Sequence, residues 1–300
     1  MTAPDAAGTP GLGQTPGVGQ TRGAAVRAGA PSGLPRPGTP SGIAAAARVF
    51  EHRAWQYRRA FRGSLFGSFV NPALFLMAMG LGLGGYVNAQ SPAAFGGVTY
   101  LHFLAPGLLA GSVMQQAIFE ATFPVMEGLL WRRTFHAMYA TPLGPQAIAM
   151  GTLAWITFRL ALVASAFTLV SALFGATESP LAILGIPAAV LTGLAFAAWM
   201  GAYMATQRTP DKFAAIFRWA IMPLFLFSGT FFPVASLPAS IQPIIWLSPL
   251  WHGVELTRGA ALGTLLDDPF RALIHVAVLV ILTVAGAILF VRNIRRKLAP

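Results

Sequence analysis

The sequence predicts an all-α integral membrane protein with six transmembrane helices, an N-terminal amphipathic helix, and re-entrant outer helices between spans five and six. Hydrophobic residues make up 55% of the 300-residue chain and charged residues only 10%, whereas soluble domains carry about 25% charged residues. Several apolar stretches reach the ~20 residues that a helix needs to cross the hydrocarbon core. Basic residues concentrate on alternate connections between these stretches, as they do in the cytoplasmic loops of membrane proteins.

Residues 1–42 precede the first of these elements and consist mostly of Gly, Pro, Ala, Thr and Ser. A segment of this composition cannot bury a core, which predicts a disordered cytoplasmic tail. It also lacks the continuous apolar stretch that a secretory signal requires.

Residues 43–62 predict an amphipathic helix on the membrane surface. Arginines, among them Arg58 and Arg59, alternate with apolar residues that recur at spacings of three and four and so share one face: Ile43, Ala47, Phe50, Ala54, Tyr57 and Phe61. Basic helices with aromatic residues bind anionic headgroups. The alternative is a charged extension of the first span.

Six apolar stretches are predicted to span the membrane: 63–86, 100–123, 147–174, 181–204, 212–228 and 271–292. Prolines at 233, 238, 243 and 249 follow the fifth, and proline breaks a helix. Residues 229–251 nevertheless stay apolar, which favours re-entrant helices at the outer edge of the membrane, packed against protein or lining a cavity. The alternative is an interfacial loop. The candidate gate residues in this stretch are Phe231, Phe232, Pro233 and Pro238.

Charge predicts the orientation of the chain. Basic residues crowd the amphipathic helix, the 124–146 segment, the 205–218 turn and the C-terminus, whereas the opposite side carries only Arg258 and Arg271. Because basic residues stay cytoplasmic, both termini are expected on that side. This distribution accounts for the net charge of +11 without a nucleic-acid partner.

The sequence lacks the common phosphate-binding and metal-binding motifs. Phe213 and Leu298 follow the only lysines, Lys212 and Lys297, so no phosphate-binding loop ending in Gly-Lys-Ser/Thr is present. There is no cysteine, and the five histidines are scattered over both sides without metal-ligand spacing. The chain is therefore expected to bind no metal or cofactor itself.

Two ionisable residues fall inside predicted spans, Glu120 in the second and Arg159 in the third. Charges in a membrane are costly and are usually paired or face a polar path. We therefore hypothesise that the two side chains approach each other on adjacent spans. The alternative is that each reaches the lipid interface separately.

The 124–146 segment joins these two spans and carries Glu127, Trp131, Arg132 and Arg133. A short helix with exposed charges between two spans suits the docking of a soluble partner. The alternative is a solvated connector.

The order and spacing of several short motifs resemble the membrane subunit of a type-2 ABC exporter. The similarity is greatest to the permeases of nodulation-type lipo-oligosaccharide exporters and daunorubicin-type drug exporters, and it covers about residues 45–298. The motifs, in chain order, are Asn71-Pro72, Gly80-Leu-Gly-Leu-Gly-Gly85, Phe103-Leu-Ala-Pro-Gly-Leu108, Phe119-Glu120, Tyr139-Ala-Thr-Pro-Leu143, Phe227-Ser-Gly-Thr-Phe-Phe-Pro233, Leu237-Pro238 and Ser248-Pro-Leu250.

The resemblance implies that residues 43–62 are an elbow helix and that residues 63–300 form the six-helix permease domain. It implies a coupling helix around Glu127, Arg132 and Arg133, which together with Arg58 and Arg59 would face a separate nucleotide-binding ATPase subunit. ATP and Mg would bind that ATPase. A second permease copy or a homologue would complete a dimer in contact with membrane lipids.

The function that follows from the resemblance is export across a bacterial plasma membrane. The chain would be the permease that moves an amphipathic drug, lipid or lipid-linked saccharide out of the cytoplasmic leaflet. One alternative is a membrane-embedded lipid-modifying enzyme, for which the sequence shows no converging acids and bases. The other is a non-transporting membrane scaffold.

Overall fold

A computed structural model describes residues 42–59, 61–90, 95 and 97–299, and within these residues the chain is helical and has no β-strand. The predicted tail lies outside the described residues except for Gly42. Short π-helical or 3-10 stretches connect several α-helices. The helices are α1 (Gly42–Arg58), α2 (Phe61–Phe75), α3 (Gly84–Gln90), α4 (Tyr100–Met126), α5 (Thr134–Tyr139), α6 (Pro145–Leu173), α7 (Gly185–Met204), α8 (Asp211–Ile216), α9 (Met222–Phe227), α10 (Gln242–Trp246), α11 (Pro249–Leu262) and α12 (Pro269–Leu298).

A helix is present in the predicted region as α1, which ends at Arg58 and lies against α6. Its packed face agrees with the predicted one only in part. Phe50 and Tyr57 pack against Trp155 of α6, but Ile43 is 87% exposed, and Ala45 and Val49 are buried instead. Gly151 of α6 permits the close approach, since a Cβ there would lie 2.6 Å from the Ala46 carbonyl oxygen.

Helix α4 lies at the centre of the fold and packs against α6, α7 and α11. Its buried side chains include Leu104, Val113, Met114 and Ile118, each with no exposed area. Two glycines let neighbouring backbone and aromatic groups come close. A Cβ on Gly107 would meet the Thr230 carbonyl oxygen at 2.7 Å, and one on Gly111 would meet the Phe225 ring at 2.4 Å.

Among the described residues, four helical stretches are long and apolar enough to cross a membrane: Phe66–Ala89, Pro145–Leu173, Pro180–Met204 and Pro269–Leu298. They correspond to the first, third, fourth and sixth predicted spans. The second is the helix α4, whose apolar character is diluted by His102, two glutamines and Glu120. The fifth runs helically only from Asp211 to Phe227, shorter than the ~20 residues of a straight span.

The proline-rich region after Phe227 contains one substantial helix, α11, that the sequence does not predict. Pro249 occupies the first turn of α11, where its missing N–H removes no helical hydrogen bond. Ser248 precedes it, and its Oγ accepts a hydrogen bond from the Leu250 N–H at 3.2 Å. Proline thus starts a helix here instead of breaking one. Before it lie a 3-10 turn at Val234–Ser236 and the short α10.

Candidate functional site

A buried ion pair joins α4 and α6. Arg159 Nε of α6 lies 3.0 Å from Glu120 Oε1 of α4, and the two side chains are only 9% and 14% exposed. Gln116, one turn before Glu120, donates a hydrogen bond from Nε2 to the same oxygen at 3.0 Å. The structure therefore brings together the two ionisable residues that the sequence places in adjacent spans.

Tyr57 of α1 completes this cluster. Its hydroxyl accepts a hydrogen bond from Arg159 Nη1, and its ring centroid lies 4.3 Å from the guanidinium carbon. Trp155 of α6 packs against the same ring at 5.5 Å. We name Arg159, Glu120, Gln116 and Tyr57 the polar joint, because they connect α1, α4 and α6. The sequence analysis includes Tyr57 only as a member of an apolar helix face. The one indication of a polar role in the sequence is its hydroxyl group, which can form a hydrogen bond.

The segment between α4 and α6, residues 124–146, is called the coupling segment here. It continues α4 through a π-helical stretch, Glu127–Trp131, and then forms α5. Arg132 Nε contacts Glu127 Oε1 at 2.8 Å, with the two side chains 73% and 40% exposed. A surface pair of this kind contributes little stability, typically below about 1 kcal/mol. Both charges therefore remain available to a partner.

Helix α1 also contacts the coupling segment through Arg53. The guanidinium carbon of Arg53 lies 5.6 Å from the ring centroid of Phe135, which is fully buried in α5. Burial lowers the pKa of Arg53, and the nearby carboxylates of Glu120 and Glu127 oppose that shift. One face of α1 therefore touches both the polar joint and the coupling segment, a link that the sequence does not indicate.

The two arginines predicted at the end of the elbow helix lie elsewhere on its surface. Arg58 stacks over the ring of Trp55 at 5.6 Å, and both Arg58 and Arg59 are exposed. Arg53, one turn earlier, is the α1 arginine that packs against α5.

The predicted gate residues divide into a packed group and an exposed one. Phe231 lies 5.2 Å from the Phe225 ring centroid, and Phe232 lies 6.2 Å from that of Phe227. Pro233 is half-buried beside them, whereas Pro238 is exposed. The structure therefore holds Phe231 and Phe232 against aromatic rings of α9, whereas Pro238 is exposed.

Arg258 of α11 holds the outer region together. Its Nη2 donates hydrogen bonds to the carbonyl oxygens of Gly229 at 2.6 Å and Phe103 at 3.3 Å, and its guanidinium carbon lies 3.8 Å from the Phe103 ring centroid. Burial lowers the pKa of Arg258 to about 10, with Glu255 opposing. The sequence marks this residue only as an isolated charge on the outer side.

A histidine pair connects α11 to α12. The Nδ1 atoms of His252 and His275 lie 2.6 Å apart, and the Trp251 ring packs against both imidazoles at 5.0 Å. Burial, followed by the charge of His275, lowers the pKa of His252 to about 4. The expectation that the histidines are scattered is therefore wrong for His252 and His275, because the fold brings these two residues together although they are 23 positions apart in sequence. Among the described residues, no group of three or more His, Asp or Glu side chains is placed to hold a metal ion.

Comparison with known proteins identifies the family. The family model described as ABC-2 type transporter matches residues 48–262. Nodulation protein J of Rhizobium leguminosarum bv. trifolii is 33% identical over 245 residues, covering 82% of this chain and 90% of the relative. Nodulation protein J of Sinorhizobium fredii is 32% identical over 251 residues, 83% of this chain and 92% of the relative. The chain therefore belongs to the ABC-2 type transporter family, as a membrane permease of its nodulation-type branch.

Proposed function

We propose that the chain is the permease subunit of an ATP-driven exporter that moves an amphipathic drug, lipid or lipid-linked saccharide out of the cytoplasmic leaflet. The observation that carries this proposal is the polar joint. Helix α1 touches the coupling segment through Arg53 and the interior of the bundle through Tyr57. A force applied to the cytoplasmic face would therefore reach α4 and α6 through the contact of Arg53 with Phe135 and the buried ion pair of the polar joint.

The proposed topology has six spans, with α4 and the Asp211–Phe227 stretch as the second and fifth. Neighbouring helices cover α4, so its polar groups need not face lipid. The fifth span ends early, and the packed residues after Phe227 would complete its passage to the outer surface as a re-entrant segment and gate. The basic coupling segment and C-terminus favour a cytoplasmic location of both termini in a bacterial plasma membrane.

The proposed energy source is a separate ATPase subunit that binds ATP and Mg. The sequence contains no phosphate-binding lysine motif of its own. Glu127, Arg132 and Arg133 of the coupling segment, with Arg58 and Arg59 of α1, would form the docking surface. Two such permeases, identical or homologous, would pair around the path of the cargo. Residues 43–62 would act as the elbow and residues 63–300 as the permease domain.

The first experiment is affinity purification of the tagged permease from detergent-solubilised membranes, with identification of co-purifying proteins and an ATPase assay. A co-purifying P-loop ATPase with activity supports the exporter. A folded permease without such a partner contradicts it and favours the membrane-enzyme or scaffold alternative.

The second experiment tests the docking surface. Reversal of Arg132 and Arg133 to Glu should reduce the recovered ATPase while membrane insertion is unchanged, because the charge of the exposed coupling segment is inverted. Arg208→Glu, a reversal elsewhere on the predicted cytoplasmic side, is the control. Equal recovery of ATPase with the double variant would rule out this surface.

A further inference from the structure

A basic pocket opens where the coupling segment meets the ends of α7 and α12. Its volume is about 260 Å³. Leu129, Leu130 and Ala205 form an apolar wall, and the polar lining comes from Arg133, His136, Gln207 and Lys297. Three elements that are distant in sequence therefore contribute to one amphipathic cavity, which shares only Arg133 with the proposed docking surface.

The pocket carries positive charge that the described part of the protein leaves unneutralised. Arg133 and Lys297 are exposed, and neither forms an ion pair with a described residue. None of the described residues that line the cavity is acidic. The neighbouring Arg132, by contrast, is paired with Glu127. The lining thus suits an anion, and the imidazole and amide groups add hydrogen-bond donors.

The backbone at Arg133 is unusual in a way that supports a binding role. Its φ of 51° lies in the left-handed region, the one case among the described non-glycine residues. This conformation is unfavourable for a residue with a Cβ, because the Cβ comes too close to the following carbonyl oxygen. Its carbonyl oxygen accepts hydrogen bonds from the N–H groups of His136 and Ala137 at 3.0 and 3.1 Å. Strained residues of this kind gather at ligand sites.

The depth of the pocket indicates which anion it meets. Helices α7 and α12 belong to two stretches apolar enough to cross a membrane, and they end at Met204 and Leu298. Gln207 and Lys297 lie near these ends, where helices that cross a membrane would pass from hydrocarbon to headgroups. Lipid phosphates occupy this level, and basic pockets between membrane helices bind anionic headgroups.

We infer that the pocket binds the phosphate of an anionic phospholipid headgroup. Arg133 and Lys297 supply the charge, while His136 and Gln207 donate hydrogen bonds to phosphate oxygens. Leu129 and Leu130 contact the apolar part of the same lipid. A lipid in this position would join the coupling segment to α7 and α12, so its presence should stabilise the cytoplasmic end of the permease. This inference does not depend on export or on the ATPase.

The test uses the full-length permease, purified without its ATPase, delipidated in detergent and titrated with phosphatidylglycerol by native mass spectrometry. Wild type should bind phosphatidylglycerol in preference to phosphatidylcholine. Loss of one basic contact near a membrane surface corresponds to roughly a fivefold change in affinity. The R133Q/K297Q variant should therefore bind phosphatidylglycerol about 30-fold more weakly. R132Q is the matched control and should bind like wild type.

Four results would overturn the inference. The first is unchanged phosphatidylglycerol affinity in R133Q/K297Q, and the second is an equal loss in R132Q. The third is saturation by inorganic phosphate at the same concentrations, which would identify a site for free anions. The fourth is a wild-type permease without lipid preference. If K297Q alone then fails to recover the ATPase, the pocket accepts an acidic segment of that partner instead, because Lys297 lies outside the proposed docking surface. Size-exclusion profiles of all variants check that they fold.

Discussion

Removal of either Arg159 or Glu120, the two charged members of the polar joint, should destabilise the permease. The loss should be much larger than that from removing both members of the exposed pair Arg132–Glu127. Arg159→Ala leaves the Glu120 carboxylate buried beside Gln116, and Glu120→Ala leaves a guanidinium that is 9% exposed, with Tyr57 as its one remaining hydrogen-bond partner among the described residues. Breaking a buried pair in this way costs about 3–5 kcal/mol. The free energy of unfolding would be measured in detergent by denaturant titration, with helical circular dichroism as the signal.

The double variant shows whether the pair acts as a unit. Once Arg159 is absent, removing Glu120 takes away a charge that is already unsatisfied. The combined loss should therefore fall short of the sum of the single losses by at least about 1 kcal/mol. Additive losses would refute the coupling of these two groups, whatever their distance in the structure.

Tyr57→Phe tests the contribution of α1 to the same joint. Loss of a hydrogen bond to a charged group should cost about 1.5–3 kcal/mol. Tyr86→Phe is the matched control, because Tyr86 is 66% exposed and surface substitutions usually stay within about 0.5 kcal/mol. A Tyr57→Phe variant as stable as this control would mean that the hydroxyl contact is unimportant in solution.

Two further predictions concern the outer region. Gly107→Ala should lower the free energy of unfolding by about 1–3 kcal/mol, since the new Cβ would lie 2.7 Å from the Thr230 carbonyl oxygen and this backbone contact has little room to yield. Gly63→Ala is the control, because no described atom lies within 4 Å of the added Cβ, and it should not destabilise. Equal losses in the two variants would argue against the close approach of Gly107 to Thr230. Acidification should also destabilise the permease, because burial holds the pKa of His252 at about 4, below its ordinary value of 6.5. As the pH falls below 6.5, the unfolded chain binds this proton before the folded chain does. The free energy of unfolding should therefore decrease by on the order of 2 kcal/mol between pH 6.5 and pH 4. Thermal unfolding of wild type and His252→Phe across this range would show the difference, and identical pH slopes would contradict it.

Charged groups near the histidine pair also influence the pKa of His252 and therefore the expected acid sensitivity. Glu255 raises the pKa of His252, and the Trp246 backbone contributes in the same direction, but desolvation is the largest influence. Arg271 contacts Glu255 at 3.4 Å and moderates its charge. Comparison with His252→Phe therefore isolates the imidazole from the carboxylates that also titrate in acid.

The membrane class and most of the helices were predictable from the sequence, because hydrophobic length is a local property. Four predicted spans correspond to helices long and apolar enough to cross, with boundaries within a few residues of those expected. The resemblance to type-2 ABC permeases was confirmed by the family comparison. Helix α11 is not predicted from the sequence, because a proline breaks a helix in its interior but is compatible with its first turn, where Pro249 lies.

The membrane environment of the chain thus follows from the sequence alone, since the length of an apolar stretch does not depend on its neighbours. For Glu120 and Arg159 the sequence left two possibilities, an ion pair or separate contact with the lipid interface. The packing of the helices decided between them, by placing both groups beside Tyr57 and Gln116. Tyr57 is 102 residues from Arg159 in sequence, and the pocket around Arg133 draws on three separate elements. Such contacts depend on how helices pack, and packing is set by small residues and close approaches that local patterns do not encode.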